Sequence, residues 1–392
     1  MNSSSFNRRN WLKQTGLGAG ALMFGAQVVP WTSKANPAFG MTPLYQPSLI
    51  ETHKVIERDL IELKARLLAN ENPYGPSPKA IEALKEAAIK GNRYVYNSSK
   101  EFAETLAEKE GVTGKQILIS PGSTDILEKF AFATCLKGGN VISADPGYMS
   151  IVNTARAIGA TWKNIPLKAD YSHDLKAMEK AVDNETRFVY ICNPNNPTGT
   201  ITPIEEIKSF AKKVSKKVPV FIDEAYIELM DGGESAVSLV QEGYDVVICR
   251  TYSKIHGMAG LRIGYMVASE ERVDKIQELV RTEMGISVTS LHAAIASTKD
   301  LEFQEKTKTL NAEARNYVFN SLQDLGYKPI PSHTSFILYP INIPTKDFAE
   351  KMLSMGVGIR VFTINDMPYS RVSMGTMDEV KLFVDSLDQI TG

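Results

Sequence analysis

The feature that most constrains the fold of this chain is the alternation of short apolar runs with amphipathic stretches between residues 67 and 280. The apolar runs lie at 117–119, 141–143, 188–192, 220–222, 246–249 and 264–268. Stretches with helical periodicity separate several of them, for example 174–182 and 204–214. Uninterrupted apolar strands that alternate with helices predict an α/β fold, in which a mainly parallel sheet lies between two layers of helices.

Capping residues predict where two of the helices begin. Ser77-Pro78 is typical of an N-cap followed by a proline in the first turn. Ser98 and Glu101 have the spacing of a capping box, and Gly111 is expected to end the helix that they start. These signals place two helices before the first expected strand of the sheet, at 117–119.

The pattern changes after about residue 281. The expected elements there are a long helix (301–325), a strand (335–339), a helix (345–355), strands near 358 and 371, and a closing helix (377–387). This mixture predicts a smaller α+β unit. The predicted organisation is therefore a signal segment (1–35), an N-terminal arm that ends in a short helix (36–66), a large domain (67–280) and a small C-terminal domain (281–392).

Composition sets limits on function. The chain has 392 residues, of which 43% are hydrophobic, and this is enough for a sizeable core. Its formal net charge of −1 argues against nucleic-acid binding, which requires a basic surface. The cysteines Cys135, Cys192 and Cys249 each stand in an apolar run, so we expect buried thiols and neither a disulfide framework nor a metal site.

The N-terminus has the features of an export signal. Arg8 and Arg9 precede Trp11, and the glycine-rich apolar stretch that follows is too short to span a bilayer. Small residues at Ser33 and Ala35 suit a signal peptidase. The pattern predicts a twin-arginine signal peptide, a periplasmic location and no stable membrane anchor. The alternative is a cytoplasmic protein with a mildly apolar N-terminus.

Polar residues follow four of the predicted strands directly. They lie at 120–125, 193–199, 223–226 and 250–254. Ligands of open parallel sheets bind beyond the carboxyl ends of the strands, so these segments predict one ligand site at one edge of the sheet.

Six motifs give the chain a family resemblance. They are Asn70-Glu-Asn-Pro-Tyr-Gly75, Cys192-Asn-Pro-Asn-Asn-Pro-Thr-Gly199, Asp223-Glu-Ala-Tyr226, Arg250-Thr-Tyr-Ser-Lys254, Gly260-Leu-Arg-Ile-Gly264 and Arg371-Val-Ser-Met-Gly-Thr376. With these motifs, residues 67–390 resemble the fold-type I enzymes that use pyridoxal 5′-phosphate (PLP), within them the class I/II aminotransferases, and most of all the histidinol-phosphate aminotransferase group. The resemblance implies an aspartate aminotransferase-like fold with a seven-stranded sheet.

The same resemblance implies the residues that bind the PLP ring. Lys254 would carry the cofactor as a Schiff base and then move the proton at the substrate carbon. Asp223 would face the pyridine nitrogen and keep it protonated. Asn196 and Tyr226 would hydrogen-bond the 3-oxygen of the ring, and Tyr148 would stack on the ring face.

The PLP phosphate would lie at a helix N-terminus, as helix termini commonly bind anions. The residues implied there are Ser123, Thr124, Thr251, Ser253 and Arg262. Tyr94 matches a tyrosine that reaches the phosphate from the other subunit, which implies a homodimer with a shared active site.

The substrate residues implied by the resemblance are Arg371, Arg360 and Asn72. A guanidinium suits a carboxylate or a phosphate. Asn72 stands where some relatives have a phosphate-contacting tyrosine, and the segment 281–287 lacks the group's Asn-Val-Asn pattern. The expected substrates are therefore broad: an amino acid or amino-alcohol phosphate as donor, and a 2-oxo acid as acceptor.

Two other functions are compatible with the sequence. A PLP-dependent decarboxylase or lyase of the threonine-phosphate decarboxylase type would use the same lysine, aspartate and arginine, because the bond that breaks depends on which bond stands perpendicular to the ring. A binding module that has kept the scaffold is the non-enzymatic alternative. The presence of Lys254, Asp223 and Arg371 favours an enzyme, and we expect a transaminase.

Overall fold

The computed structural model of the protein describes residues 63–281 and 283–391. The predicted signal segment (1–35) and residues 36–62 of the predicted arm lie outside the described residues. A seven-stranded sheet forms the centre of the fold, which confirms the predicted α/β architecture. Its strands are β2 (Ile117–Ser120), β3 (Asn140–Asp145), β4 (Thr161–Pro166), β5 (Thr186–Cys192), β6 (Val220–Asp223), β7 (Val246–Thr251) and β8 (Gly264–Val267).

The sheet is mainly parallel, in the order β2-β8-β7-β6-β5-β3-β4. The pairs among β3, β4, β5, β6 and β7 are parallel, and β8 runs antiparallel to both β7 and β2. The sequence prediction missed β4. This strand lies at the edge of the sheet and is largely polar and half-exposed, so it lacks the apolar run of a buried strand.

Helices cover both faces of this sheet. Successive residues of β6 and β7 point to opposite sides, so both faces are apolar and each forms a core with the helices that cover it. On one side Ile222 and Ile248 share a core with Phe210. On the other side Phe221 and Val247 share a core with Phe130, Phe188 and Tyr190. The helices of this part are α1 (Pro78–Ala88), α2 (Tyr96–Glu110), α3 (Ser123–Cys135), α4 (Ser150–Ala157), α5 (Leu175–Ala181), α6 (Ile204–Val214), α7 (Ser238–Gln241) and α8 (Glu270–Gln277).

One predicted cap is confirmed and another is wrong. The Ser77 hydroxyl accepts a hydrogen bond from the Ala80 amide, and α1 begins at Pro78. Ser98 caps nothing, because α2 begins at Tyr96 and Ser98 lies inside its first turn. Gly111 ends α2 in the left-handed conformation (φ 68°), as expected.

The C-terminal part contains a second, three-stranded antiparallel sheet, formed in spatial order by β11 (Arg360–Ile364), β12 (Met367–Ser373) and β9 (Phe336–Pro340). Its core includes Phe348 and Phe383, and also Ala65 and Leu67 from the start of the described chain. The elements are β1 (Ala65–Arg66), α9 (Val288–Thr298), α10 (Leu301–Asp324), β9 (Phe336–Pro340), α11 (Thr345–Ser354), β10 (Val357–Gly358), β11 (Arg360–Ile364), β12 (Met367–Ser373) and α12 (Met377–Thr391).

Both ends of the predicted large domain have contacts across the predicted boundaries. Leu67 packs in the core of the C-terminal part, and Leu291 of α9 packs in the same core as Ala80 of α1. The boundaries at 66/67 and 280/281 therefore stay predictions. Among the described residues, no helix is both long enough and apolar enough to cross a bilayer.

Candidate active site

A cavity of about 240 Å³ opens beyond the carboxyl ends of β5, β6 and β7. The structure brings all but two of the sequence-predicted site residues to its wall. They are Ser123, Thr124, Tyr148, Asn196, Asp223, Tyr226, Thr251, Ser253, Lys254, Arg262, Arg360 and Arg371. The polar strand ends that the sequence placed at one edge of the sheet therefore meet in a single cavity.

Asp223 is the last residue of β6 and is almost fully buried. Its Oδ2 accepts a hydrogen bond from the Tyr190 hydroxyl at 2.9 Å, and its Oδ1 accepts one from the Ala225 amide at 3.1 Å. Desolvation raises the pKa of Asp223 to about 6. The two hydrogen bonds and the positive charge of Lys254 lower the pKa, but desolvation is the larger effect. The carboxylate is thus held from the protein side while it still lines the cavity.

Lys254 points its amine into the same cavity. Its Nζ donates a hydrogen bond to the Asn70 carbonyl at 2.9 Å. Desolvation, and after it the positive charge of Arg371, lower the pKa of Lys254 to about 8. A lysine with a lowered pKa has more neutral amine at neutral pH and is therefore a stronger nucleophile.

Asn70 is a site residue that the sequence reasoning did not assign. Its Nδ2 donates to the Tyr226 hydroxyl at 2.9 Å, and its Oδ1 accepts from the Ser373 hydroxyl at 2.7 Å. Its backbone has a φ of 53°, a conformation that asparagine tolerates better than most residues. The only signal for Asn70 in the sequence was its position in the motif of residues 70–75.

One end of the cavity suits a phosphate. Helix α3 begins there at Ser123, the Thr251 hydroxyl donates to Ser253 Oγ at 3.0 Å, and Arg262 Nη1 approaches the same oxygen at 3.5 Å. A Cβ at Gly122 would lie 2.2 Å from Arg262 Nη2, so only glycine lets the guanidinium come this close to the helix N-terminus. Amide groups, hydroxyls and a fixed positive charge therefore converge as an anion cradle.

Two arginines line the other end. Arg371 is buried, and it donates to Asn196 Oδ1 at 2.7 Å and to the Leu68 carbonyl at 3.2 Å. The Nε atoms of Arg371 and Arg360 are buried without a hydrogen-bond partner among the described residues. Desolvation, followed by the charge of Arg360, lowers the pKa of Arg371 to about 9. Buried guanidiniums with spare donors suit an anionic ligand group.

Two predicted residues do not line this cavity. Asn72 donates to the Ile255 carbonyl at 2.9 Å and accepts from the Tyr74 amide, and it borders a separate, smaller cavity that Lys254 also borders. Tyr94 is 71% exposed, and its ring contacts that of Tyr96. In a single chain neither side chain reaches the anion cradle.

Residues 63–387 match the family described as aminotransferase class I and II. The chain belongs to this family. The expectation of a fold-type I, PLP-dependent aminotransferase is thereby confirmed. The enzyme is 34% identical over 339 residues to a histidinol-phosphate aminotransferase of Caldicellulosiruptor saccharolyticus, covering 86% of this chain and 94% of the relative. It is 33% identical over 340 residues to that of Moorella thermoacetica, covering 86% and 88%.

Solved structures of aminotransferases are also similar to this chain. The histidinol-phosphate aminotransferase of Sinorhizobium meliloti, solved in complex with pyridoxal-5′-phosphate, has a TM-score of 0.80 and 26% identity, covering 90% of this chain and 97% of that one. Aspartate aminotransferase of Thermus thermophilus with maleate has a TM-score of 0.77 at 19% identity, covering 90% and 99%. The second likeness concerns the fold alone, and it agrees with the aspartate aminotransferase-like fold expected from the sequence.

Proposed function

We propose that this aminotransferase uses PLP to move an amino group between an amino acid or amino-alcohol phosphate and a 2-oxo acid, as a histidinol-phosphate aminotransferase does. The observation that carries the proposal is the convergence of Lys254, Asp223 and Arg371 on one cavity. These residues are far apart in the chain. Lys254 offers an amine with a lowered pKa, Asp223 offers a carboxyl group, and Arg371 offers an Nε donor without a partner among the described residues.

The cavity residues fit PLP. The cradle of Ser123, Thr124, Thr251, Ser253 and Arg262 would hold the phosphate. When bound, PLP supplies an electron-accepting ring that stabilises negative charge at the substrate carbon. Asp223 would hold a proton on the ring nitrogen, Asn196 and Tyr226 would bond the 3-oxygen, and Tyr148 would cover the ring face.

The other side chains of the cavity would transfer the proton and bind the substrate. Lys254 would take the proton from the substrate Cα and deliver it to C4′ of the cofactor, and its lowered pKa favours this role. Arg371 and Arg360 hold the carboxylate or phosphate of donor and acceptor, and their unpartnered Nε atoms are available for this. The burial of Arg371 excludes water from its charged contact and so strengthens it.

A half-reaction assay tests the proposed activity. The PLP-loaded enzyme is mixed with one amino compound at a time, including L-glutamate, L-histidine and L-histidinol phosphate. We expect the PLP absorbance to be replaced by that of the pyridoxamine form, with a 2-oxo acid or ketone product detected by mass spectrometry. Release of carbon dioxide with PLP regenerated would instead identify the decarboxylase alternative. Lys254→Ala is the matched control, because it keeps the cavity and removes the amine.

We also propose a homodimer with shared active sites, which the exposure of Tyr94 supports. An active site completed by the partner subunit requires this ring to project away from its own cavity. Mixing Tyr94→Ala and Lys254→Ala chains tests the proposal, because hybrid dimers would contain one intact site and regain activity. Sedimentation analysis of each variant provides the assembly control.

Export to the periplasm is proposed from the sequence alone, since the residues concerned lie outside the described part of the chain. Arg8 and Arg9 carry this proposal. Cell fractionation and sequencing of the mature N-terminus test it. Replacing both arginines by lysine should retain the full-length chain in the cytoplasm, whereas an unchanged distribution would favour a cytoplasmic enzyme.

A further inference from the structure

We propose that Tyr190 is a positioning residue for the reaction. Its hydroxyl holds Asp223 as a carboxylate, so that the proton between Asp223 and the cofactor stays on the ring nitrogen. The proposal rests on the proposed function, because it concerns the carboxylate assigned to the PLP ring. Tyr190 belongs to none of the polar strand ends and does not line the cavity. It therefore acts only through Asp223.

The sheet fixes the geometry of this contact. Cys192 of β5 pairs with Asp223 of β6, and Tyr190 lies two residues before Cys192 on the same face of the sheet. Such diagonal neighbours on adjacent strands are within reach of a long aromatic side chain. The Tyr190 hydroxyl lies 2.9 Å from Asp223 Oδ2, and both residues are only 2% exposed.

The surroundings hold the tyrosine in place. Its ring lies against that of Phe221, with centroids 6.0 Å apart, in a core that also contains Phe130 and Phe188. Burial keeps the pKa of Tyr190 well above its ordinary value, so the hydroxyl stays protonated and can only donate to the carboxylate. The aromatic packing leaves the hydroxyl directed at one oxygen of Asp223.

The bond matters because Asp223 is buried. Desolvation favours the protonated carboxyl, and among the influences that oppose it the hydrogen bond from Tyr190 is the largest. The Ala225 amide bonds the other oxygen. Each carboxylate oxygen accepts more than one hydrogen bond, so Asp223 can still accept one from the ring nitrogen. Without Tyr190, the shared proton would move toward the carboxyl and the ring would accept electrons less well.

The experiment places ¹⁵N-labelled PLP in the holoenzyme and records the ring-nitrogen chemical shift by NMR, together with kcat and KM. In Tyr190→Phe the shift should move from the pyridinium toward the neutral pyridine value. We expect kcat to fall about 10-fold or more, as for loss of a hydrogen bond to a charged group, with KM within about threefold. An unchanged shift in a folded, PLP-loaded variant would overturn the proposal, whatever its activity.

Tyr265→Phe provides a matched control. Tyr265 is equally buried, and its hydroxyl also donates to a carboxylate, Glu110 Oε1 at 2.6 Å, but on the opposite face of the sheet. This variant should leave the ¹⁵N shift at the wild-type value. A similar displacement in both variants would mean that the effect comes from loss of a core hydroxyl in general, and would also overturn the proposal.

A second substitution covers the case in which Tyr190→Phe does not fold. Fluorinated tyrosine at position 190 has a more acidic hydroxyl and donates more strongly, so the ¹⁵N shift should move further toward the pyridinium value. A shift in the opposite direction, or none, contradicts the proposal. Wild-type enzyme that shows no PLP band and no half-reaction would refute the proposed function instead, before any variant is measured.

Discussion

Near the carboxyl ends of the strands, the charged side chains on the two faces of the sheet have net charges of opposite sign. On one face the cavity is lined by four cationic side chains, Lys254, Arg262, Arg360 and Arg371, and by two carboxylates, Asp223 and Glu71. On the other face Arg250 is buried among the carboxylates of Glu110, Glu224 and Glu228, at 3.8, 2.9 and 3.1 Å. Among the described residues, none of the four cations of the cavity lies within ion-pair distance of a carboxylate, whereas Arg250 lies close to three.

Adjacent residues are divided between these two environments. Asp223 faces the cavity and Glu224 faces the ion cluster, and likewise Thr251 faces the cavity while Arg250 faces the cluster. The alternation follows from the twofold repeat of an extended strand. The ion cluster satisfies its own charges and can fix the strand ends, whereas the cavity keeps donors for a ligand. We therefore expect substitutions on the cavity face to change function first, and those in the cluster to change stability first.

The largest effect should come from Lys254→Ala. Removal of the amine should lower turnover by on the order of 10⁴-fold or more, at the upper end of what a positioned proton-transfer group contributes. PLP should become removable by dialysis, which absorbance measurements would detect. The free energy of unfolding of the apoenzyme should not fall, because the burial of this cation is itself unfavourable and the substitution removes it. A marked loss of stability would contradict the division between the two faces.

Arg250→Met should have the largest effect on stability. It leaves three carboxylates around a buried site without their cation, and removal of one member of a buried ion pair costs about 3–5 kcal/mol. Urea unfolding of the apoenzyme measures the change. Lys275→Met is the control, because Lys275 pairs with Glu271 and both side chains are exposed, and such a pair contributes at most about 1 kcal/mol. Equal losses for the two variants would refute the special role of the cluster.

Arg371→Ala should raise KM for a dicarboxylic 2-oxo acid by about 10- to 150-fold, the effect of losing a hydrogen bond to a charged group. The dissociation constant of PLP should change by less than about threefold. Titration of the apoenzyme with PLP, together with steady-state kinetics, separates the two quantities. Equal weakening of cofactor and acceptor would mean that Arg371 shapes the whole cavity and does not bind the substrate selectively.

The smallest effect concerns pH. Lys254 has a lowered pKa of about 8, so its neutral form increases as pH rises through that value. Between pH 7 and 9 the rate of PLP attachment to the apoenzyme should rise roughly tenfold and then level off, whereas an ordinary lysine would give roughly a hundredfold rise without levelling. Stopped-flow absorbance measures the rate. In Arg371→Ala the midpoint should move to higher pH, because the positive charge that helps to lower the pKa is removed.

Much of this division is readable from the sequence. The buried strands appear as apolar runs, and four of these runs are followed directly by polar segments that contribute residues to the cavity wall. The edge strand β4 escaped prediction because it is largely polar and half-exposed, and Ser98 gave a wrong N-cap because α2 begins two residues earlier, at Tyr96. Local patterns do not record such tertiary effects.

The partners that the sequence did not reveal are all distant in the chain. Glu110 meets Arg250 only because α2 and β7 are brought together by folding, and Tyr190 meets Asp223 only because β5 and β6 are neighbours in the sheet. Tyr190 stands inside an apolar run, where a tyrosine is usually a packing residue. Pairing register, which a single sequence does not give, is what turns it into a hydrogen-bond donor.

The contacts of Asn70 have a consequence for biosynthesis. Asn70 holds Lys254 through its carbonyl and Ser373 through its side chain, so the pocket unites the beginning, the middle and the end of the described chain. A ribosome must therefore have released almost the whole polypeptide before the cofactor can be captured in its final setting. Chains cut short before β12 should fail to retain it, which makes cofactor retention a built-in test that synthesis has been completed.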